Sequence, residues 1–508
     1  MVSEQHALNA FGTEHLRADL KGRAVRGGVL TLTSQGAQFL MQSVATVVLA
    51  RLLIPADFGL VAMVTAITGL GQAFADLGLS EATIQHPEIT HEQVSTLFWI
   101  NVAIGFVLTT VSASIGPVLA WFYREPRLTG IALLVSLTFL ISGLRVQHDA
   151  LLRRQMRFLS LAIRDVSSYV IAVPVAIVMA MRGAGYWALV ALPLTLNLVQ
   201  MVLSWWMAAW LPGLPRRGAK VGSLIAFGGK VAASYLIFNA NRSADSVLIG
   251  WHWGAGPLGL YSRAMNLLLL PVRQLGAPAR SVAIPAFSRV QAEPERLARY
   301  YLHAASLIMW IVAPIFGFLF VAAVPVIVLA LGKRWLDSAP VFQILTISAL
   351  GQLLYDSTVW LLVSRGQSQR LLKLALIVCP IAIGSYAVGL PWGIKGVALS
   401  GSLGLLAIFP WILKFSFKGT NLTLRRLGRA IVYPIIMCFA GAGSAEIVMH
   451  LITSQVVALQ LLIAFLGFAA GCSLSLVITP LRQELLSLRT LIRKSSTPPV
   501  ANMAESSI

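Results

Sequence analysis

The chain reads as long apolar runs separated by short polar connections. A spanning helix needs about 20 mostly apolar residues, because each residue rises only about 1.5 Å through a hydrocarbon layer of about 30 Å. About 14 runs reach that length. They lie near 28–52, 59–79, 94–122, 129–147, 161–182, 186–210, 224–250, 257–284, 298–331, 339–363, 370–391, 395–416, 429–451 and 456–478. Pro314 and Pro325 are expected to kink the long 298–331 run, since proline removes a backbone donor and crowds the preceding turn. The longest connections are 80–93, 148–160 and 285–297, and none is long enough for an extramembrane domain. The pattern predicts an all-α polytopic membrane protein. The first 27 residues are polar and longer than a usual signal n-region, so the first span is expected to be retained.

Parts of the pattern recur. Gly27-Gly28 opens the first span and Gly228-Gly229 the seventh. Pro55-Ala56-Asp57-Phe58-Gly59-Leu60-Val61-Ala62-Met63 reads against Gly256-Pro257-Leu258-Gly259-Leu260-Tyr261-Ser262-Arg263-Ala264-Met265. Gly183-Ala184-Gly185-Tyr186-Trp187 reads against Trp392-Gly393-Ile394-Lys395-Gly396. The offset stays near 200–210, which implies two six-span repeats over 28–210 and 224–416. An even number of spans makes such repeats parallel, related by an axis along the membrane normal. A cytoplasmic tail (1–27), a linker (211–223), two extra spans (417–480) and a disordered cytoplasmic tail (481–508) complete the expected organisation.

Composition narrows the class. Hydrophobic residues make up 57% and charged residues 11%, against about 25% charged in a soluble domain. The net charge of +20 would suggest nucleic acid in a soluble chain. In a membrane chain the location of the charge matters instead. With the N-terminus inside, about 29 of the 39 Lys and Arg fall in inside loops and tails and about 7 outside. Both termini are therefore expected in the cytoplasm, with lipid and not nucleic acid as the partner of the basic loops. Cys379, Cys438 and Cys472 are an odd set inside apolar runs, which argues against a disulfide framework and a Cys metal site.

Charge or polarity inside a span is costly, about 2.5–3.5 kcal/mol for an ion at mid-membrane, so such residues mark cavities or partners. Thr31, Gln35, Gln38 and Gln42 share one helical face of the first span. Helix packing and a polar substrate lining both fit that row. The seventh span carries Lys230, Ser234, Asn239, Asn241, Arg242 and Asp245, with Arg242 and Asp245 spaced to pair. The eighth carries Arg263, Asn266, Arg273 and Arg280 among prolines at 271, 278 and 285. Arg280 reads as a snorkelling residue, and Arg273, deeper in the run, as the main candidate for a fixed cavity charge. Arg164/Asp165 reads as an interfacial pair. Asp245 and Asp356 are the candidate coupling acids, and Asp356 also fits a hydrogen-bonded structural role. No P-loop, H-E-x-x-H or G-x-S-x-G motif occurs, and His86, Glu88, His91 and Glu92 read as a solvated loop. No cofactor and no metal are expected.

The segment Leu49-Ala50-Arg51-Leu52-Leu53-Ile54-Pro55-Ala56-Asp57-Phe58-Gly59-Leu60 resembles the polysaccharide transporter family. Asp76-Leu77-Gly78-Leu79-Ser80, Leu97-Phe98-Trp99-Ile100-Asn101 and Gly259-Leu260-Tyr261-Ser262-Arg263-Ala264 are similar to further segments of it. These are Wzx-type flippases of the multidrug/oligosaccharidyl-lipid/polysaccharide exporter superfamily, and the likeness spans about 20–420, closest to the exopolysaccharide subgroup with colanic or succinoglycan-type repeats. The resemblance implies two six-helix lobes around a cationic cavity. It implies transfer of undecaprenyl-pyrophosphate-linked sugars to the periplasmic leaflet, with no catalytic residues. It also implies polymerase and chain-length or export proteins as partners. An ion-coupled exporter of small drugs and, on weaker grounds, a polymer-assembly enzyme stay open at this point.

Overall fold

The computed structural model describes residues 20–69, 71, 79–85, 89–215, 243–452, 454–475 and 477. The described residues are helical and contain no strand. In chain order the helices are α1 (Leu20–Leu52), α2 (Pro55–Thr68), α3 (Leu79–Gln85), α4 (His91–Tyr123), α5 (Arg127–Arg154), α6 (Phe158–Met181), α7 (Tyr186–Ala208), α8 (Ala244–Trp253), α9 (Ala255–Arg289), α10 (Pro294–Val321), α11 (Ala323–Ala330), α12 (Ser338–Ser364), α13 (Ser368–Gly389), α14 (Gly393–Phe417), α15 (Leu424–Leu451) and α16 (Val457–Ser475). Nine helical segments among the described residues are long and apolar enough to cross a membrane. The chain is an all-α, multi-pass membrane protein.

Local chemistry sets the boundaries. Thr90 Oγ1 accepts the Gln93 N–H and Gln93 Oε1 accepts the Thr90 N–H, a reciprocal cap that starts α4. The 80–93 stretch is therefore not wholly loop: α3 and the first turn of α4 occupy much of it. The two recurring turns before α7 and α14 both use a left-handed glycine, Gly185 at φ +57° and Gly393 at φ +73°, a conformation that costs other residues more. The 298–331 run is divided, not merely kinked. α10 ends at Val321 and α11 restarts at Ala323, with Pro325 in its first turn. Proline is tolerated there because first-turn N–H groups have no intrahelical acceptor.

The chain forms two compact units. One holds Met1–Arg263, Ala330–Ser338 and Cys379–Ser400; the other holds Ala264–Leu329, Ala339–Val378 and Gly401–Ile508. In the first, α4 packs along α5, α6 along α7, and α1 against α6. Leu79, Val94, Leu97, Phe98, Leu151 and Trp210 make one of its cores. In the second, α15 lies against α10 and α16, and Phe287, Tyr301, Met309, Leu361, Phe417 and Leu427 share a core.

Candidate functional site

The site grows from one helix crossing in the first unit. Pro55 starts α2, and the Asp57 carboxylate accepts the Ile54 N–H at 3.3 Å, which fixes the entry of the chain. Gly59 of α2 then meets the backbone of Ala255, and Gly259 of α9 meets the backbone of Pro55. A Cβ on either glycine would overlap the facing carbonyl oxygen. The two Gly-Leu segments that recur in the sequence thus lie against each other, backbone to backbone. One turn beyond Gly259, the Arg263 guanidinium rests 4.5 Å from the centre of the Phe58 ring. Such a contact contributes about 0.5–2 kcal/mol, more when water is excluded.

Phe58 is held from another side by Trp335, edge-on at 5.2 Å. Trp335 is fully buried, and its Nε1 donates to the Ala50 carbonyl at 2.8 Å. Ala50 lies in the last turn of α1, where carbonyls have no intrahelical donor. Trp335→Phe removes that donor and is expected to cost about 1–3 kcal/mol. A lower thermal midpoint of the purified protein checks it; an unchanged midpoint would show that the carbonyl does not need this partner.

Around Arg263 and Phe58 lies a cavity of about 290 Å³. Gln42 and Thr46 of α1, Tyr169 of α6, and Leu192 and Leu196 of α7 are among the other lining residues. Arg263 is half-buried, and its Nε has no hydrogen-bond partner among the described residues. Among the described residues Arg263 is also the only charged one in that lining. A mostly apolar cavity with one cation and a few neutral polar groups suits an anionic group attached to an apolar or polyhydroxylated body.

The predicted residues separate. Of the glutamine row, Gln42 reaches this cavity, Gln38 is half-buried and Gln35 is exposed. Thr31 donates its hydroxyl to the Gly27 carbonyl within its own helix. Asp245 is buried, with Tyr261 Oη donating at 2.9 Å and the Ser246 N–H at 2.6 Å. Its carboxylate is therefore enclosed and does not line the cavity. Lys230, Asn239, Asn241 and Arg242 lie outside the described residues. Asn266 and Arg273 belong to the second unit, and both are exposed there. In that unit Gln352 Nε2 donates to Asp356 at 3.1 Å, the hydrogen-bonded arrangement that the sequence also allowed. Phe58, Tyr169 and Trp335 bring no charge into an apolar run, so the sequence pattern does not mark them as site residues.

Two expectations change. The Arg164/Asp165 pair is more enclosed than an interfacial pair: the Arg164 side chain is 6% exposed. It reaches Asp149 of α5 as well as Asp165, and Ser204 of α7 donates to Asp149 at 2.6 Å. His91 starts α4, and its Nδ1 accepts from Trp210 Nε1 at 3.0 Å. Among the described residues no cluster of His, Cys, Asp and Glu is placed to hold a metal; His86 and Glu88 lie outside them.

Teichuronic acid biosynthesis protein TuaB of Bacillus subtilis (strain 168) is 26% identical over 305 residues, 59% of this chain and 63% of that protein. Lipopolysaccharide biosynthesis protein WzxC of Escherichia coli (strain K12) is 25% identical over 309 residues, 60% of this chain and 62% of that protein. Each alignment spans less than two thirds of the relative's length. The fold is similar to that of the lipid II flippase MurJ in an inward closed conformation, with a TM-score of 0.67 and 13% identity over 89% of this chain and 99% of the other. Residues 48–340 match the family described as "Polysaccharide biosynthesis protein", and that match covers more than half of the chain. The chain belongs to the polysaccharide biosynthesis protein family.

Proposed function

We infer that this protein is a flippase. It moves undecaprenyl-pyrophosphate-linked oligosaccharide repeat units across the bacterial inner membrane for exopolysaccharide or lipopolysaccharide assembly. It works by alternating access between two parallel six-helix lobes, with both termini cytoplasmic, and makes no covalent bond. A polymerase and chain-length or export proteins would take up the product. The observation that carries the reading is Arg263: a guanidinium in a largely apolar cavity, over Phe58, with an orphaned Nε. A pyrophosphate oxygen would satisfy that donor, and charge-assisted bonds are the strong ones. Gln42 and Tyr169 offer neutral partners for sugar hydroxyls.

The basic cavity disfavours the alternative of a cationic-drug exporter, in which Asp245 or Asp356 would be essential. A hydrogen bond to a charged group contributes about 1.5–3 kcal/mol. Arg263→Gln should therefore cut polymer output about tenfold to a hundredfold in cells that depend on this protein, at an unchanged membrane level. Arg263→Lys should recover part of it, since the charge stays and the planar fork is lost. Wild-type polymer from a correctly inserted Arg263→Gln variant would overturn the reading. So would efflux of a cationic dye that stops with Asp245→Asn or Asp356→Asn.

A further inference from the structure

A second cavity, of about 430 Å³, lies in the second unit at the elbow between α14 and α15. Its wall combines Phe417, Leu422 and Leu424 with two lysines, Lys414 and Lys418. Lys414 stands in the last turn of α14 and Lys418 just past its end, and both line the same cavity. Both are exposed, and neither ammonium group makes a hydrogen bond or ion pair among the described residues. Among the described residues no acid lines the cavity. The acid that does reach this elbow, Glu295, is taken up by Asn421 Nδ2 at 2.9 Å and Arg426 Nη1 at 3.0 Å. It therefore does not neutralise the lysines.

The elbow is built rigidly. Arg365 Nη2 donates to the Gly419 carbonyl at 2.8 Å, and Arg370 Nη1 to the Lys418 carbonyl at 2.8 Å. The Thr420 hydroxyl donates to the Phe417 carbonyl at 2.6 Å and accepts the Leu422 N–H at 3.2 Å. Two arginines thus spend themselves on loop carbonyls and leave the lysines outward. Leu424 opens the 28-residue α15, whose first-turn N–H groups add positive potential on the same wall. The whole arrangement sits at the C-terminal end of α14, in a helical segment long and apolar enough to cross a membrane.

We propose that this elbow is a binding site for an anionic phospholipid, with the phosphate between Lys414 and Lys418 and the acyl chains against the apolar wall. The occupant follows from charge and shape together: the lysines call for a phosphate, and the leucine and phenylalanine wall calls for hydrocarbon. The proposal rests on the multi-pass membrane fold and not on the flippase reading, so either can fail alone. A basic residue close to an anionic surface is worth about fivefold in affinity, so the lysine pair is worth about 25-fold.

The test uses the purified full chain in detergent, titrated with phosphatidylglycerol or phosphatidylcholine and read by native mass spectrometry. The wild type should retain phosphatidylglycerol in preference to phosphatidylcholine. Lys414→Ala/Lys418→Ala should lose about 25-fold of that preference. Lys414→Arg/Lys418→Arg should keep most of it, and Arg182→Gln, an exposed charge at the end of α6, should leave it unchanged. Full preference in the double alanine variant would overturn the proposal. Displacement of the lipid by millimolar inorganic phosphate would overturn it too, because the ligand would then be the free anion.

Discussion

Arg164→Ala is expected to cost about 3–5 kcal/mol, enough to remove most of the folded protein. The size follows from what the substitution leaves behind. Arg164 extends from α6 toward Asp149 of α5 and its neighbour Asp165, and Gln200 and Ser204 of α7 bond to the same two carboxylates. Arg145 adds an ion pair to Asp149 at 3.4 Å. Two arginines face two aspartates, so the enclosed set is neutral as it stands. Without Arg164, two carboxylates would share one cation in a setting that admits little water. Taking one partner from a buried ionic set is far more costly than replacing the whole set. Arg164→Ala should therefore elute as aggregate in fluorescence-detected gel filtration. The quadruple change Arg145→Gln/Asp149→Asn/Arg164→Gln/Asp165→Asn, which keeps most of the volume and removes every charge of the set, should recover a monodisperse peak. A quadruple variant as damaged as the single one would show that the ionic contacts themselves, and not the unpaired charge left by Arg164→Ala, hold α5, α6 and α7 together.

That set also shows where the sequence stops being legible. Arg164 and Asp165 are adjacent and were read as a pair. Asp149 lies fifteen residues earlier on another helix, and Ser204 forty residues later on a third. Nothing in local spacing joins them. The helices were legible because span length is a direct measure of apolar run length, and the runs and helices coincide closely over α4 to α7 and α12 to α16. Arg263 was legible because a charge inside an apolar run is conspicuous. Its partner Phe58 was not, since a phenylalanine in such a run looks like any lipid-facing residue. The glutamine row gave a face but not its neighbours, so spacing could not tell that Gln42 alone reaches the Arg263 cavity. Trp335 sits in a short connection and becomes meaningful only when its indole reaches Ala50.

Gly59→Ala is expected to lower the thermal midpoint sharply and abolish polymer output, though it adds one methyl group. Alanine is normally the better helix residue, by about 1 kcal/mol over glycine. Here the added carbon falls on the Ala255 carbonyl oxygen, and backbone on that side cannot rotate away as a side chain could. α2 and α9 must separate, and overlaps of this kind are among the few causes of losses above about 4 kcal/mol. Gly259→Ala meets the Pro55 carbonyl and should behave alike. Because both collisions are relieved by the same separation, the double variant should cost less than the two losses added. Gly256→Ala is the control. It lies in the same α9, and an added Cβ there meets nothing within 4 Å, so it should be neutral or stabilising by about 0.4–1 kcal/mol. A Gly59→Ala protein that melts and functions like the Gly256→Ala control would show that the crossing has slack. If it fails as expected, the loss of function has a geometric cause. Phe58 adjoins Gly59, and Arg263 lies one turn beyond Gly259, so a methyl's width between these helices draws the ring from under the guanidinium and opens the wall of the cavity that the cation serves.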